Sequence, residues 1–169
     1  DGVYSMNNNG FFEKVKGIEQ DCYGLNLFYN GNDTLLLVSE RDHVLALNEA
    51  NENMKLQPGG PYQVKTSPLN PNELIVVHFD GLANLVYNGE QYITNNYLRN
   101  FTQAEAHNFV LEEDGTIWIG TIADLDGGVY KTHVDIFRDS SIKFERYYTE
   151  EGLPEGATYM FIKDKEIYA

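Results

Sequence analysis

Cysteine, basic residues and long apolar runs are all scarce in this sequence of 169 residues. Cys22 is the single cysteine, so no disulfide can form within the chain. The 12 Lys and Arg residues face 26 Asp and Glu residues, which gives a formal net charge of −14. We expect neither a nucleic acid nor an anionic membrane surface as a partner, because both are bound through basic patches. No run of about 18 apolar residues is present, so the sequence predicts no membrane insertion by this segment.

A convincing amphipathic helical stripe is also missing, and the hydrophobic pattern has a period of two. Short apolar runs with β-branched and aromatic residues alternate with Gly, Asn, Asp and Pro clusters. Leu35–Val38 and Leu74–Val77 are continuously apolar, as expected for strands that are covered on both faces. The sequence therefore predicts an all-β fold.

The predicted strands recur in one order, at intervals of about 40 to 50 residues. Two apolar strands joined by a polar turn are followed by a third strand after a Gly/Asp loop and by a more polar fourth strand. Units of this size with four antiparallel strands are typical of β-propeller blades. A β-sandwich also uses short strands, but it does not predict that the same four-strand order recurs. The approximate blades are 1–20 (partial), 24–58, 62–100, 106–148 and 157–169 (partial).

About four blades' worth of repeat can be arranged in two ways. The arrangement that we favour is a section of a larger propeller of the seven-blade type, whose remaining blades would cover the section's open faces. The alternative is a closed four-blade ring, in which strands from both ends complete one blade. Because the sequence opens at a third strand and closes within a second strand, we expect it to be a piece of a longer chain.

One unit carries a specific sequence motif. EEDGTIWIGTIADLDGGVYKT (112–132) resembles the two-component regulator propeller repeat, and Glu151-Gly152-Leu153-Pro154 resembles the Gly-Leu-Pro connection between its blades. Residues 1–100 follow only the general pattern, since Leu36 and Ile75 stand where the motif has Trp. Such repeats often form the periplasmic sensor domains of hybrid two-component histidine kinases in Bacteroidetes-like bacteria.

The resemblance implies a non-enzymatic, extracytoplasmic ligand-sensing domain for signal transduction, often one that senses a glycan. A small-molecule or oligosaccharide ligand and a homodimer formed through the parent chain would follow from it. Two other functions stay open, which are a protein-interaction scaffold and part of a propeller enzyme that acts on a carbohydrate or a lactone.

Candidate ligand-binding residues come from chain topology. The turns between second and third strands and the connections between blades must lie at one rim, where propellers usually meet their ligands. Arg41 is the most distinctive of these residues, since cationic side chains are scarce and a guanidinium binds a carboxylate with two hydrogen bonds. The candidates are Arg41, Asp42, His43, His78, Asp80, Asp124 and Asp126.

No catalytic, metal or cofactor motif accompanies these residues. The four histidines show no metal-ligand spacing, and Asp124-Leu125-Asp126-Gly127 lacks the glutamate that completes an EF-hand calcium loop. Trp118 occupies a second strand where packing between blades requires a bulky apolar residue. The sequence thus predicts neither a cofactor nor an enzyme in this segment.

Overall fold

Short antiparallel strands account for nearly all regular structure in the computed structural model. It describes residues 3–6, 9–16, 18, 21–29, 34–40, 43–47, 53–58, 61–88, 92–99, 105–122, 128–153, 156, 158, 160–163 and 166–169. These residues form sixteen strands and two short 3-10 helices. No helix in the described part of the chain has the length and apolar character needed to cross a membrane.

Twelve of the strands build three complete four-stranded sheets, in which each strand pairs with the next along the chain. Blade I comprises β3 (Cys22–Tyr29), β4 (Thr34–Glu40), β5 (His43–Leu47) and β6 (Asn53–Pro58). Blade II comprises β7 (Pro61–Thr66), β8 (Glu73–His78), β9 (Gly81–Tyr87) and β10 (Tyr92–Arg99). Blade III comprises β11 (Glu105–Leu111), β12 (Thr116–Ile122), β13 (Val129–His133) and β14 (Glu145–Tyr147). The expected all-β fold of four-stranded antiparallel blades is confirmed.

Half-blades flank the three complete blades. The N-terminal half-blade pairs β1 (Tyr4–Met6) with β2 (Phe12–Lys14), and the C-terminal half-blade pairs β15 (Phe161–Lys163) with β16 (Glu166–Tyr168). These remain two separate sheets, so strand pairing does not close a four-blade ring within the described residues.

Consecutive blades stack through apolar layers, and alternation along each strand decides which neighbour a side chain meets. Every residue of β8 is buried. Leu74 and Val76 pack in a cluster with blade I, whereas Ile75 and Val77 pack in a cluster with blade III. This double coverage explains the unbroken apolar run of β8.

Each first strand carries a β-bulge at the same place. The register shifts between Cys22 and Gly24 in β3, between Pro61 and Gln63 in β7, and between Ala106 and Asn108 in β11. Two of the residues that follow the shift bind the backbone of the next first strand. Gln63 Oε1 accepts from the Phe109 N–H at 2.9 Å, and Asn108 exchanges hydrogen bonds with Met160 N and O.

A buried ion pair adds a polar link between blades II and III. Glu73 is completely buried, and Nη2 of Arg138 donates to both of its carboxylate oxygens at 2.9 Å. Asn84 Nδ2 donates to Oε1 at 2.6 Å. The carboxylate therefore keeps its charge compensated inside the protein, as a buried ion requires.

The segment between β13 and β14 is longer than its counterparts in blades I and II. The structure forms a 3-10 helix, Val134–Phe137, whose Val134, Ile136 and Phe137 side chains join the core between blades II and III. The added residues therefore cover the interface between blades instead of extending into solvent.

Candidate ligand site at the upper rim

The edge of the blades that holds the turns between second and third strands is here called the upper rim, and the opposite edge the lower rim. His78 ends β8, and Asp80 lies in the turn that leads to β9. His43 begins β5 in blade I, but its side chain lies outside the described part of the structure. Arg41, Asp42, Asp124 and Asp126 also lie outside the described residues. Of the seven candidates, the described structure brings His78 and Asp80 to one place.

The imidazole of His78 is buried without hydrogen bonds. Only 1% of the residue is exposed, and neither Nδ1 nor Nε2 has a hydrogen-bond partner. Burial lowers the pKa of His78 from 6.5 to about 4; the charge of Asp80 opposes this shift and that of Arg99 adds to it. The ring is therefore neutral at neutral pH, with one donor and one acceptor unsatisfied. Each unsatisfied buried group costs about 1–3 kcal/mol, so the site is energetically unfavourable as it stands.

Tyr97 covers this imidazole. The ring centres of His78 and Tyr97 lie 4.8 Å apart, and the Tyr97 hydroxyl donates a short hydrogen bond to Oδ1 of Asp80. Burial, followed by the hydrogen bond to Asp80, raises the pKa of the phenol. A Cβ atom at Gly81 would lie 2.6 Å from Cε2 of Tyr97, so the missing side chain of Gly81 provides the space for the ring.

Arg99 completes the group from the outer strand. Its guanidinium carbon lies 4.6 Å from the centre of the Tyr97 ring, within the range of a cation–π contact. The residue is exposed, and no carboxylate among the described residues forms an ion pair with it. The rim cluster, defined as His78, Asp80, Tyr97 and Arg99, thus presents a carboxylate, a phenol and a guanidinium that has no carboxylate partner among the described residues, above a buried imidazole.

Tyr97 and Arg99 are not among the candidates from the sequence, because they lie on a fourth strand and not in a rim turn. Strand register brings them to the site, since Arg99 pairs with Gly81 and Tyr97 with Ala83. The alternating Tyr-Leu-Arg pattern places Tyr97 and Arg99 on one face of β10. With the β9–β10 register known, that pattern would have identified both residues.

The motif residues of blade III have structural roles. Trp118 Nε1 donates to Glu112 Oε1 at 2.7 Å, and the indole packs in the cluster that joins blade III to the C-terminal half-blade. A Cβ atom on Gly120 would lie 2.2 Å from the carbonyl oxygen of Thr158, so only glycine allows the next blade to approach this closely. Thr121 closes the upper rim of blade III through two hydrogen bonds between its hydroxyl and Gly128.

Two cavities open at the lower rim, away from the rim cluster. The first cavity has a volume of about 290 Å³ and is lined by Leu27 and Lys65. The second has a volume of about 310 Å³ and is lined by Ile162 and Ile167. Both cavities are also lined by Leu111, Glu112 and Glu113. Lys65 Nζ donates to the Phe109 carbonyl at 2.7 Å, and burial lowers the pKa of this amine. The ammonium group is therefore committed to the backbone of blade III.

No group of three or more His, Cys, Asp or Glu side chains in the described residues is placed to hold a metal ion. The rim cluster contains two such side chains, His78 and Asp80. The groups that it presents can form hydrogen bonds and ion pairs.

Comparisons with known proteins bear on the fold. No protein-family model and no curated protein sequence matches the chain. Among solved structures, the chain is similar to a putative 6-phosphogluconolactonase from Bacteroides fragilis, with a TM-score of 0.52 and 12% sequence identity. The match covers 87% of this chain and 42% of that protein, so the chain spans less than half of its length. At this identity the likeness shows a shared fold and nothing about activity.

Proposed function

We propose that this chain is part of a β-propeller that binds an oligosaccharide at its upper rim, as the non-enzymatic sensing domain of an extracytoplasmic two-component signalling protein. The proposal of ligand binding rests on the rim cluster. A buried imidazole with two unsatisfied nitrogens lies beside a carboxylate and an exposed guanidinium that no described carboxylate neutralises, and hydroxyl groups of a ligand would satisfy such groups.

The signalling part of the proposal is supported by the resemblance of residues 112–132 to the two-component regulator propeller repeat. In that repeat family the propeller precedes a membrane helix and a histidine kinase domain. A gene that encodes both of these after the propeller would support the assignment. A gene that encodes neither would contradict it, and would favour the protein-interaction scaffold.

Ligand binding is tested by titrating the protein with a panel of oligosaccharides in a calorimeter. We expect one class to bind, with an affinity at least tenfold lower in Asp80→Asn, because the substitution removes the charged acceptor at the centre of the cluster. Glu113→Gln is the matched control, since Glu113 is exposed and lies at the lower rim. Binding that is equally strong in both variants, or no binding of any saccharide, would contradict the proposal.

The second candidate is part of an enzyme that acts on a carbohydrate or lactone, the class named in the description of the similar structure, a putative 6-phosphogluconolactonase. Against it, the pKa of about 4 makes His78 a weak proton acceptor at neutral pH, where a general base works best with a pKa near 7. The direct test is hydrolysis of 6-phosphogluconolactone by the protein. We expect a rate equal to the spontaneous rate, and a faster rate that is lost in Asp80→Asn would favour the enzyme.

A further inference from the structure

We infer that the ligand of the rim cluster carries a carboxylate next to its hydroxyl groups, as sugar acids do, with the carboxylate bound by Arg99 and a hydroxyl group bound by Asp80 in place of the Tyr97 phenol. This inference rests on the proposed function, since it names the ligand class of the same site. It follows from three properties of the cluster.

The first property is the exposed cation of Arg99, which no carboxylate among the described residues neutralises. In a chain with 26 acidic and 12 basic residues, an exposed guanidinium without an ion-pair partner among the described residues is unusual. By comparison, Arg138 is bound to both Glu73 and Asp135. Before a ligand binds, the cation–π contact with Tyr97 keeps the Arg99 guanidinium at the rim. Once the ring turns away, this planar group can donate two parallel hydrogen bonds to a ligand carboxylate.

The second property is the neighbouring charge of Asp80. This carboxylate accepts the Tyr97 hydroxyl, so it would accept a ligand hydroxyl in the same way. Its negative charge disfavours a second anion that carries more than one charge. The phosphate of a phosphorylated sugar carries a charge of about −1.5 to −2 at pH 7, so Asp80 would repel it more strongly than a singly charged carboxylate. The pair of Arg99 and Asp80 therefore selects a singly charged anionic group with an adjacent hydroxyl group.

The third property is the imidazole under the Tyr97 ring. The hydrogen bond to Asp80 holds the ring above Gly81, and the ring in turn covers His78. When a ligand hydroxyl replaces the phenol at Asp80, the ring is free to turn away. The two unpaired nitrogens of His78 can then donate to one ligand hydroxyl and accept from another, which offsets the cost of their burial.

The experiment compares matched ligands by calorimetry on the full chain. Digalacturonate, which carries one charge on each ring, is titrated against the neutral galactose disaccharide with the same linkage, and galactose 6-phosphate is the probe that carries up to two charges on one group. We expect digalacturonate to bind at least tenfold more tightly than either. Arg99→Gln should remove this preference, whereas Lys163→Gln, which removes one exposed positive charge on β15, should retain it.

The outcomes separate the inference from the proposed function. Neutral and acidic sugars that bind equally well, with affinity still dependent on Asp80, would overturn the ligand class and leave the proposed function standing. Tighter binding of galactose 6-phosphate would also overturn the ligand class. Binding of no saccharide at all, neutral or acidic, would defeat the proposed function and this inference with it.

The exchange at Tyr97 has its own measurement. Side-chain nitrogen resonances of the four histidines are recorded by long-range proton–nitrogen NMR with and without digalacturonate. We expect the two signals lost in a His78→Gln spectrum to be the ones that shift in the wild type. Tyr97→Phe, which has no bond to Asp80, should bind digalacturonate two- to fivefold more tightly. His78 signals that stay in place when the site is saturated would overturn the exchange.

Discussion

The unpaired imidazole of His78 makes the stability of the protein sensitive to mild acid. In the folded chain its pKa is about 4, and in the unfolded chain it returns to 6.5. Between these pH values the unfolded chain binds a proton that the folded chain does not. The free energy of unfolding therefore falls as the pH falls from about 6.5 to about 4. Above about pH 6.5 the imidazole is neutral in both the folded and the unfolded chain, so the protein keeps its full stability there.

The difference between the two pKa values corresponds to a loss of about 3 kcal/mol in the free energy of unfolding, at 1.36 kcal/mol for each pKa unit. Burial of the ring is the main cause of this lowered pKa; the Asp80 carboxylate opposes the shift, and the Arg99 guanidinium adds to it. Hydrogen bonds with Thr116 and Ser141 lower the pKa values of Asp114 and Asp139 below 3.8. The titration of these two carboxylates therefore changes the free energy of unfolding below the pH range in which His78 does so.

Two substitutions separate the titration of His78 from the cost of its unpaired atoms. His78→Gln removes the titrating group but keeps a donor and an acceptor in the buried site. His78→Leu removes the titrating group and both polar functions. We expect both variants to lose about 3 kcal/mol less than the wild type between pH 7.5 and pH 4, and His78→Leu alone to be more stable than the wild type at pH 7.5, by about 2 kcal/mol.

Urea unfolding at several pH values between 7.5 and 4 measures both effects, and the fluorescence of Trp118, the single tryptophan, reports the transition. Free energies of unfolding that change in parallel for the wild type and both variants would refute the reasoning, because the folded protein would then bind the proton as readily as the unfolded chain. A loss of saccharide binding in His78→Leu, despite its higher stability, would connect the buried polar atoms to function.

Two further predictions concern the contacts between blades. Gly120→Ala places a Cβ atom 2.2 Å from the carbonyl oxygen of Thr158, so we expect it to destabilise the protein by about 1–3 kcal/mol in urea unfolding. An unchanged unfolding midpoint would show that the C-terminal half-blade is not held against β12. Arg138→Met leaves Glu73 buried without its cation. We expect the free energy of unfolding to fall by about 2 kcal/mol, a value reduced because Arg138 is partly exposed. The double variant with Glu73→Gln should recover most of this loss. Equal stability of the single and double variants would contradict this account of the ion pair.

The fold was largely predictable from the sequence because each blade repeats the same physical solution. The central residues of a strand that is covered by a blade on each side are apolar on both faces, as Leu74–Val77 of β8 show. The 3-10 helix Val134–Phe137 was not predicted, because its apolar residues follow neither a strand nor a long helix period. They are explained only by the space that they fill between two blades.

The candidate site was predictable only where it depends on chain order. His78 and Asp80 were found because every turn between second and third strands must lie at the upper rim. Tyr97 and Arg99 depend on the register between β9 and β10, which shifts at an irregularity between Thr94 and Asn96. A shift of one residue would place both side chains on the opposite face of the sheet, and the sequence does not mark where the shift occurs.

The bulges in the first strands show the same limit at the interfaces between blades. An amide side chain after the bulge binds the backbone of the next first strand in two blades, from Gln63 to Phe109 and from Asn108 to Met160. The corresponding residue of β3 is Gly24, which has no side chain for this contact. Backbone geometry is therefore retained across the three blades while the residue type is not, and a bulge redirects a side chain without leaving a pattern in the sequence. Contacts of this kind align each blade with the next, so the position of His78 at the rim depends on bonds that only the folded register reveals.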